Sequence, residues 1–132
     1  MVIFDSSIII DEVRTGRHAR RIAQLDELVR TSSVVLAELW RGSTTHAEEV
    51  FLDALEARYP VFTPTEKNWL ESGQILRRIQ LDKGFEAVKL RDLHFDVLIA
   101  LTARTHGARL ITSNQADFEL IREYRDYKLE LW

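Results

Sequence analysis

Apolar positions along this chain gather in short continuous runs, separated by longer stretches where they recur every three or four residues. The runs predict strands and the stretches predict helices. Val2 to Asp5 is apolar at successive positions and partly β-branched, as in a strand buried on both faces. Ser6 and Ser7 follow as N-caps for a helical turn over Ile8 to Val13, which Gly16 ends. His18 to Arg30 carries Ile22, Leu25, Leu28 and Val29 at helical spacing and predicts an amphipathic helix. Thr31 to Val35 predicts a second strand, running into a helix around Glu38 that stops at Gly42. Ala47 to Arg58 is helical, and Tyr59-Pro60 breaks it before a short third strand at Val61 to Thr63. Pro64 and Thr65 start a long helix to about Lys83, ended by Gly84. Phe85 to Leu90 reads as a loop, leading to a helix with Asp96 near its head and Gly107 at its end. Arg109 to Thr112 predicts a fourth strand and Lys128 to Leu131 a fifth. Short strands alternating with helices predict one α/β domain over residues 1–132, with a parallel sheet covered on both faces.

Four acids interrupt this pattern where a charge is expensive. Asp5 closes the first apolar run, Glu38 sits within Val34 to Trp40, Asp96 precedes Val97 to Leu101, and Asp117 adjoins Phe118. A carboxylate among buried apolar neighbours costs several kcal/mol unless something pairs with it. Each has an ordinary explanation on its own. Asp5 can cap a helix, Glu38 can pair with Arg41 at i+3, Asp96 can face a helix dipole, and Asp117 can serve a turn.

Topology brings the four together. In open parallel sheets, ligands bind beyond the carboxyl ends of the strands. Asp5 ends the first strand, Glu38 follows the second by about one helical turn, and Asp117 follows the fourth after a short loop. Asp96 joins them if it heads the helix that crosses back to the fourth strand. Two carboxylates about 5 Å apart repel by roughly 3 kcal/mol at an effective dielectric near 20, and a bound dication reverses that balance. Donors that are all oxygen favour Mg²⁺ or Mn²⁺, ions that activate water and steady phosphoryl charge.

Composition narrows the setting. The 132 residues are 45% hydrophobic and 30% charged, as in an ordinary globular protein. With no cysteine there is neither a disulfide framework nor a thiolate metal site. No apolar run is long enough to span a membrane, and the acids Asp5, Asp11 and Glu12 are unlike a signal peptide, so a cytoplasmic location is expected. The net charge of −3 argues against a broadly basic surface for nucleic acid. It is compatible with an enzyme acting on phosphates, since a cluster of acids contributes those negatives itself. Basic residues gather at Arg14, Arg17, Arg20 and Arg21, at Arg77 and Arg78, and at Lys89 and Arg91, and read as solvated helix faces. His18, His46, His94 and His106 show no ligand spacing and read as surface residues.

Asp5-Ser6-Ser7, Ser33-Val34-Val35-Leu36-Ala37-Glu38-Leu39, Phe95-Asp96-Val97-Leu98-Ile99-Ala100, Ala108-Arg109-Leu110-Ile111-Thr112-Ser113-Asn114 and Asp117-Phe118 together resemble the PIN-domain pattern. The resemblance is strongest to toxins of the VapC type in toxin–antitoxin pairs, and it covers nearly the whole chain. It implies a three-layer α/β/α fold with a central, mainly parallel sheet of four or five strands. It also implies an Mg²⁺- or Mn²⁺-dependent RNA endonuclease that forms a homodimer and is held inactive by a cognate antitoxin. On that pattern Asp5, Glu38 and Asp96 are metal-site acids. The fourth position falls either to Asn114, where many relatives carry an acid, or to Asp117, with Asp117 preferred and Asn114 supporting, and Ser7 and Thr112 hydrogen-bond to the acids.

Other classes fit less well. A haloacid-type phosphatase expects a second acid where this chain has Ser7, and a receiver domain needs an acidic pair that is missing beside Asp5. No glycine-rich phosphate loop or dinucleotide fingerprint is present. The remaining alternative is a PIN-like binding scaffold without nuclease activity, which the retained acids oppose. Trp40 and Trp69 are candidates for an exposed dimer face or, equally, for core packing.

Overall fold

A computed structural model describes residues 1–132. Its central strand, β1 (Val2–Phe4), pairs in parallel with β2 (Val29–Ser32) on one side and β4 (Arg109–Thr112) on the other. β3 (Val61–Phe62) and β5 (Leu129–Leu131) extend the two edges, also in parallel, giving the order β3–β2–β1–β4–β5. The chain builds outward from β1 to one edge, then crosses to the other. The switch point therefore lies between β1 and β4, whose ends are joined by the Asp5 N–H donating to the Ile111 carbonyl at 2.9 Å.

Helices fill the connections: α1 (Ser6–Thr15), α2 (Ala19–Ala23), α3 (Ser33–Gly42), α4 (His46–Arg58), α5 (Glu66–Lys83), α6 (Ala87–Thr105) and α7 (Gln115–Tyr124). Alternation along the strands divides the interior into two faces. Ile3 and Leu110 join the larger core, with Val35 from α3, Ile75 and Ile79 from α5, Phe118 and Ile121 from α7, and the apolar stripe of α6. Val2 and Ile111 point the other way, packing with Ile8 of α1, Leu25 and Trp132. The result is the three-layer α/β/α arrangement with an all-parallel sheet of five strands.

Several boundaries differ from the sequence-based expectation. β2 begins two residues earlier, at Val29, and ends at Ser32 rather than Val35. The Ser32 hydroxyl accepts the Val34 N–H at 3.1 Å, so the Ser32-Ser33 pair starts a helix where continued β-branching predicted strand. Val34 and Val35 consequently lie in the buried first turn of α3. The helix expected over His18–Arg30 shrinks to Ala19–Ala23, because Val29 and Arg30 are taken up by pairing with Val2 and Ile3. Helix α6 starts at Ala87, inside the segment read as a loop, and Asp96 is its tenth residue rather than its head. Nothing from Ala87 to Phe95 breaks a helix, and these nine residues add about 13 Å of helix ahead of Asp96.

His18 is a further correction. It is only 3% exposed, with its ring 5.6 Å from that of Trp132 and its Nε2 3.3 Å from Asp11 Oδ2. The covering residue arrives at the end of β5, more than a hundred positions later, so local spacing holds no sign of it. His46 and His106 are exposed, while His94 is half-buried with its Nε2 3.0 Å from the Ser72 hydroxyl.

Because Ser32 anchors the helix that carries Glu38, Ser32→Ala should destabilise the protein by about 1 kcal/mol, the usual cost of a lost N-cap. Urea unfolding would measure it, and an unchanged midpoint would show that the cap contributes nothing.

Candidate metal centre

Asp5 leaves β1 in an extended conformation, φ −67° and ψ 157°, and becomes the N-cap of α1. Its two carboxylate oxygens have separate surroundings. Oδ2 accepts hydrogen bonds from the Ser7 hydroxyl at 2.7 Å and the Thr112 hydroxyl at 2.9 Å, and a longer one from the Ser7 N–H at 3.4 Å. Both hydroxyls are oriented in turn: Ser7 Oγ accepts the Ser113 N–H at 3.1 Å and Thr112 Oγ1 accepts the Asn114 N–H at 3.0 Å. Oδ1 is buried with no hydrogen-bond partner at all. Helix capping thus accounts for one oxygen and leaves the other free.

Glu38 lies on α3 and Asp96 on α6. Asp5, Glu38 and Asp96 each present a carboxylate oxygen to a group in which all lie within 4.8 Å of one another. Glu38 makes no ion pair with Arg41, whose guanidinium instead sits 5.3 Å from the centre of the Phe95 ring. Like Asp5 Oδ1, Glu38 Oε1 is buried and unpartnered. Buried polar atoms are usually hydrogen-bonded, so two unpartnered carboxylate oxygens in one acid group leave acceptor capacity that a cation could take.

Electrostatics agree with the geometry. Burial pushes the Glu38 carboxyl up to about 7, with Asp5 raising it further and Arg41 and Ser6 pulling the other way. Burial likewise raises Asp96 to about 8, reinforced by Asp5, Glu38 and Asp117 and opposed by Lys89. Near neutrality the acid group is therefore incompletely ionised. A bound dication would favour its fully ionised form.

Asp117 stands beside this group rather than within it. It occupies the first turn of α7, where the Asn114 side chain accepts its N–H at 3.4 Å. Its Oδ1 accepts from Lys89 Nζ at 2.8 Å, and its Oδ2 accepts from Asn114 Nδ2 at 3.1 Å. Both oxygens are therefore partnered. Lys89 is the residue that sequence reasoning missed, having been placed on a solvated basic face. Its signal is a seven-residue spacing from Asp96, two helical turns along one face of α6, which reading Phe85–Leu90 as a loop conceals.

A parallel α/β sheet gathers three carboxyls near its switch point, at the carboxyl ends of the strands. The sequence model described as "PIN domain" matches residues 2–124, and the chain belongs to that family. No curated protein sequence gives a significant match. Among solved structures, the chain is similar to VapBC-1 from nontypeable Haemophilus influenzae, at 26% identity and TM-score 0.75 over 100% of this chain and 98% of the other. It is similar in fold to VapBC2 from Rickettsia felis, solved with a promoter DNA fragment, at 24% identity and TM-score 0.75 over 100% and 99%. Mycobacterium tuberculosis VapC20, described as a sarcin-ricin loop cleaving toxin, shares the fold at 19% identity and TM-score 0.69 over 90% and 93%. Family and fold agree on a PIN domain with the architecture of the VapBC structures.

The raised carboxyls carry a pH signature. Free Glu and Asp side chains ionise near 4.5 and 3.8, whereas Glu38 and Asp96 in the fold do so near 7 and 8. Between those values the native state binds more protons than the unfolded state, so stability falls as pH rises. Asp11 and Glu27, whose values are lowered, act below this range. His94, also lowered by burial, opposes the trend up to about 6.5. In EDTA the melting temperature should therefore decline between about pH 6.5 and 8, and Asp96→Asn should flatten the decline. A melting temperature constant across that interval would contradict the raised values.

Proposed function

We propose that this protein is a divalent-metal-dependent endoribonuclease and the toxin of a toxin–antitoxin pair. The observation that carries this reading is the pair of buried, unpartnered oxygens, Asp5 Oδ1 and Glu38 Oε1, in an acid group that also includes Asp96. An all-oxygen donor set of this kind fits Mg²⁺ or Mn²⁺, with Asp5, Glu38 and Asp96 as the residues that would hold the ion. When bound, such an ion supplies a water of lowered pKa and Lewis-acid stabilisation of a phosphoryl oxygen.

The chain's own residues have distinct tasks. Ser7 and Thr112 hold Asp5 in one orientation through Oδ2. Hydrogen bonds of this sort behind a metal-binding carboxylate are commonly worth ten- to a hundredfold in affinity. Glu38 and Asp96, raised by burial, would hold the cation in their ionised forms. Asp117, steadied by Asn114 and Lys89, orients the attacking water from the edge of the group. Thr112 and Asn114 therefore act on neighbours rather than on the substrate.

The partners follow the same reading. VapBC complexes among the similar structures support an antitoxin as partner. An apolar groove of about 280 Å³ between α1, β2 and α4, lined by Ile9, Val13, Phe51 and Leu55, offers it a seat. Trp40 and Trp69 are 36% and 49% exposed, which is in keeping with a homodimer face rather than with core packing. No helix is long and apolar enough to cross a membrane. An enzyme directed at cellular RNA would work in the cytoplasm.

Purified protein should cut RNA in Mg²⁺ or Mn²⁺ and lose that activity as Asp5→Asn or Asp96→Asn, while either variant melts no lower than the parent in EDTA. Near-normal cleavage by either variant would remove that acid from the centre of the site.

Asp117→Ala should slow single-turnover cleavage at saturating Mn²⁺ by about a hundredfold, the scale of a positioned general base, and Asn114→Ala should cost less. The reverse ranking would assign the water-orienting role to Asn114 and leave Asp117 as the partner of Lys89.

A further inference from the structure

Beside the acid group, on the side away from Asp117, lies a cavity of about 350 Å³ lined by Glu38, Arg41, Arg91, Asp92, His94 and Phe95. It shares Glu38 with the acid group, so whatever fills it lies next to the reacting atoms. Its chemistry differs from that of the cluster. Arg41 and Arg91 bring two guanidiniums, and neither forms an ion pair, although Asp92 and Glu38 are in the same wall. Lys89, by contrast, is committed to Asp117 at 2.8 Å. Arg41 is held over the Phe95 ring at 5.3 Å, so its planar group is kept on an aromatic face while the residue remains exposed.

We propose that this cavity is a nucleotide subsite. It takes one nucleotide flanking the scissile bond of single-stranded RNA, the base stacking on the Arg41–Phe95 pair and the adjoining phosphate meeting Arg91. The proposal rests on the endoribonuclease reading and deepens it. Single-stranded RNA is recognised by stacking on aromatic rings and guanidinium planes, combined with cations that follow the backbone. The unpaired guanidiniums next to the acid group supply the attraction that brings the backbone near. The volume is in the range of small-ligand sites and suits a single nucleotide. Specificity at that position of the RNA then depends on Arg41 and Phe95, and general affinity on Arg91.

The test is binding of a short labelled single-stranded RNA to the full-length protein in EDTA, by fluorescence anisotropy over a range of salt. It is joined to single-turnover cleavage of the same RNA in Mn²⁺. Arg91→Ala should weaken binding about tenfold and lower the salt slope by about 0.7, the value for one phosphate contact to a single strand. Arg41→Lys, which keeps the charge, and Phe95→Leu, which keeps most of the volume, should each weaken binding about five- to a hundredfold without changing that slope. All three should raise the RNA concentration at half-maximal cleavage and leave the maximal rate near the parent's. Arg77→Ala, on an exposed face of α5, should change nothing. Unaltered affinity and salt slope in the Arg41, Arg91 and Phe95 variants would overturn the subsite while leaving the nuclease reading intact. Binding lost in these variants, by a parent that cuts no RNA in either metal, would keep the subsite and overturn the nuclease. A parent that binds no RNA at all would overturn the subsite.

Discussion

Three carboxyl groups held within 4.8 Å of one another at the end of the central strand set the terms for the structure around them. Each ionised pair at that separation repels by roughly 3 kcal/mol at an effective dielectric near 20, in a domain whose net stability is of order 5–15 kcal/mol. The acids cannot simply move apart. Asp5 is fixed by its N–H to Ile111 and by two hydroxyls on Oδ2. Asp96 is carried on a stretch of α6 whose next residues, Val97, Leu98, Ile99, Ala100 and Leu101, are almost wholly buried. Burial of α6 on every side just after Asp96 thereby holds the acid in place. The remaining release is chemical: burial and mutual repulsion raise Glu38 to about 7 and Asp96 to about 8, so both give up their protons less readily than free acids.

The surroundings of this group are asymmetric. On the α7 side, Asp117 is neutralised by Lys89 and fixed by Asn114, so it adds a directed acceptor without adding to the free negative charge. On the opposite side, Arg41 and Arg91 are cations without acid partners beside a partly buried ring. One flank is suited to handling water and the other to receiving a polyanion. The sheet topology makes this arrangement available, because β1 lies next to the reversal of strand order and receives side chains from α1, α3 and α6 at one rim.

How much of this could be read from the sequence depended on whether the signal was local. The strands around Ile3 and Leu110 announced themselves as continuous apolar runs, and the acids stood out because each broke such a run. The parallel alternation of elements then implied a common rim. What was hidden lay in tertiary competition. Val34 and Val35 favour a strand by type, yet the Ser32 cap takes them into α3. Ala87 to Phe95 carries no helix start signal beyond Glu86, so α6 was cut short and the alignment of Lys89 with Asp96 along it went unseen. His18 looks like a surface residue in the sequence because its cover, Trp132, comes from the far end of the chain. Asp117 was recognisable as an acid near the site, but its ion pair with Lys89 depends on how α6 and α7 meet.

Asp5, Glu38 and Asp96 would together hold a divalent cation. Crystals of the protein soaked in Mn²⁺ and measured at the manganese absorption edge address it without reference to any substrate. An anomalous peak is expected about 2.0–2.6 Å from an oxygen of each of the three acids, including Asp5 Oδ1, with the Lys89–Asp117 pair still closed. A fully soaked crystal with no peak at the three acids, or with its peak at Asp117 and Asn114 instead, would contradict it.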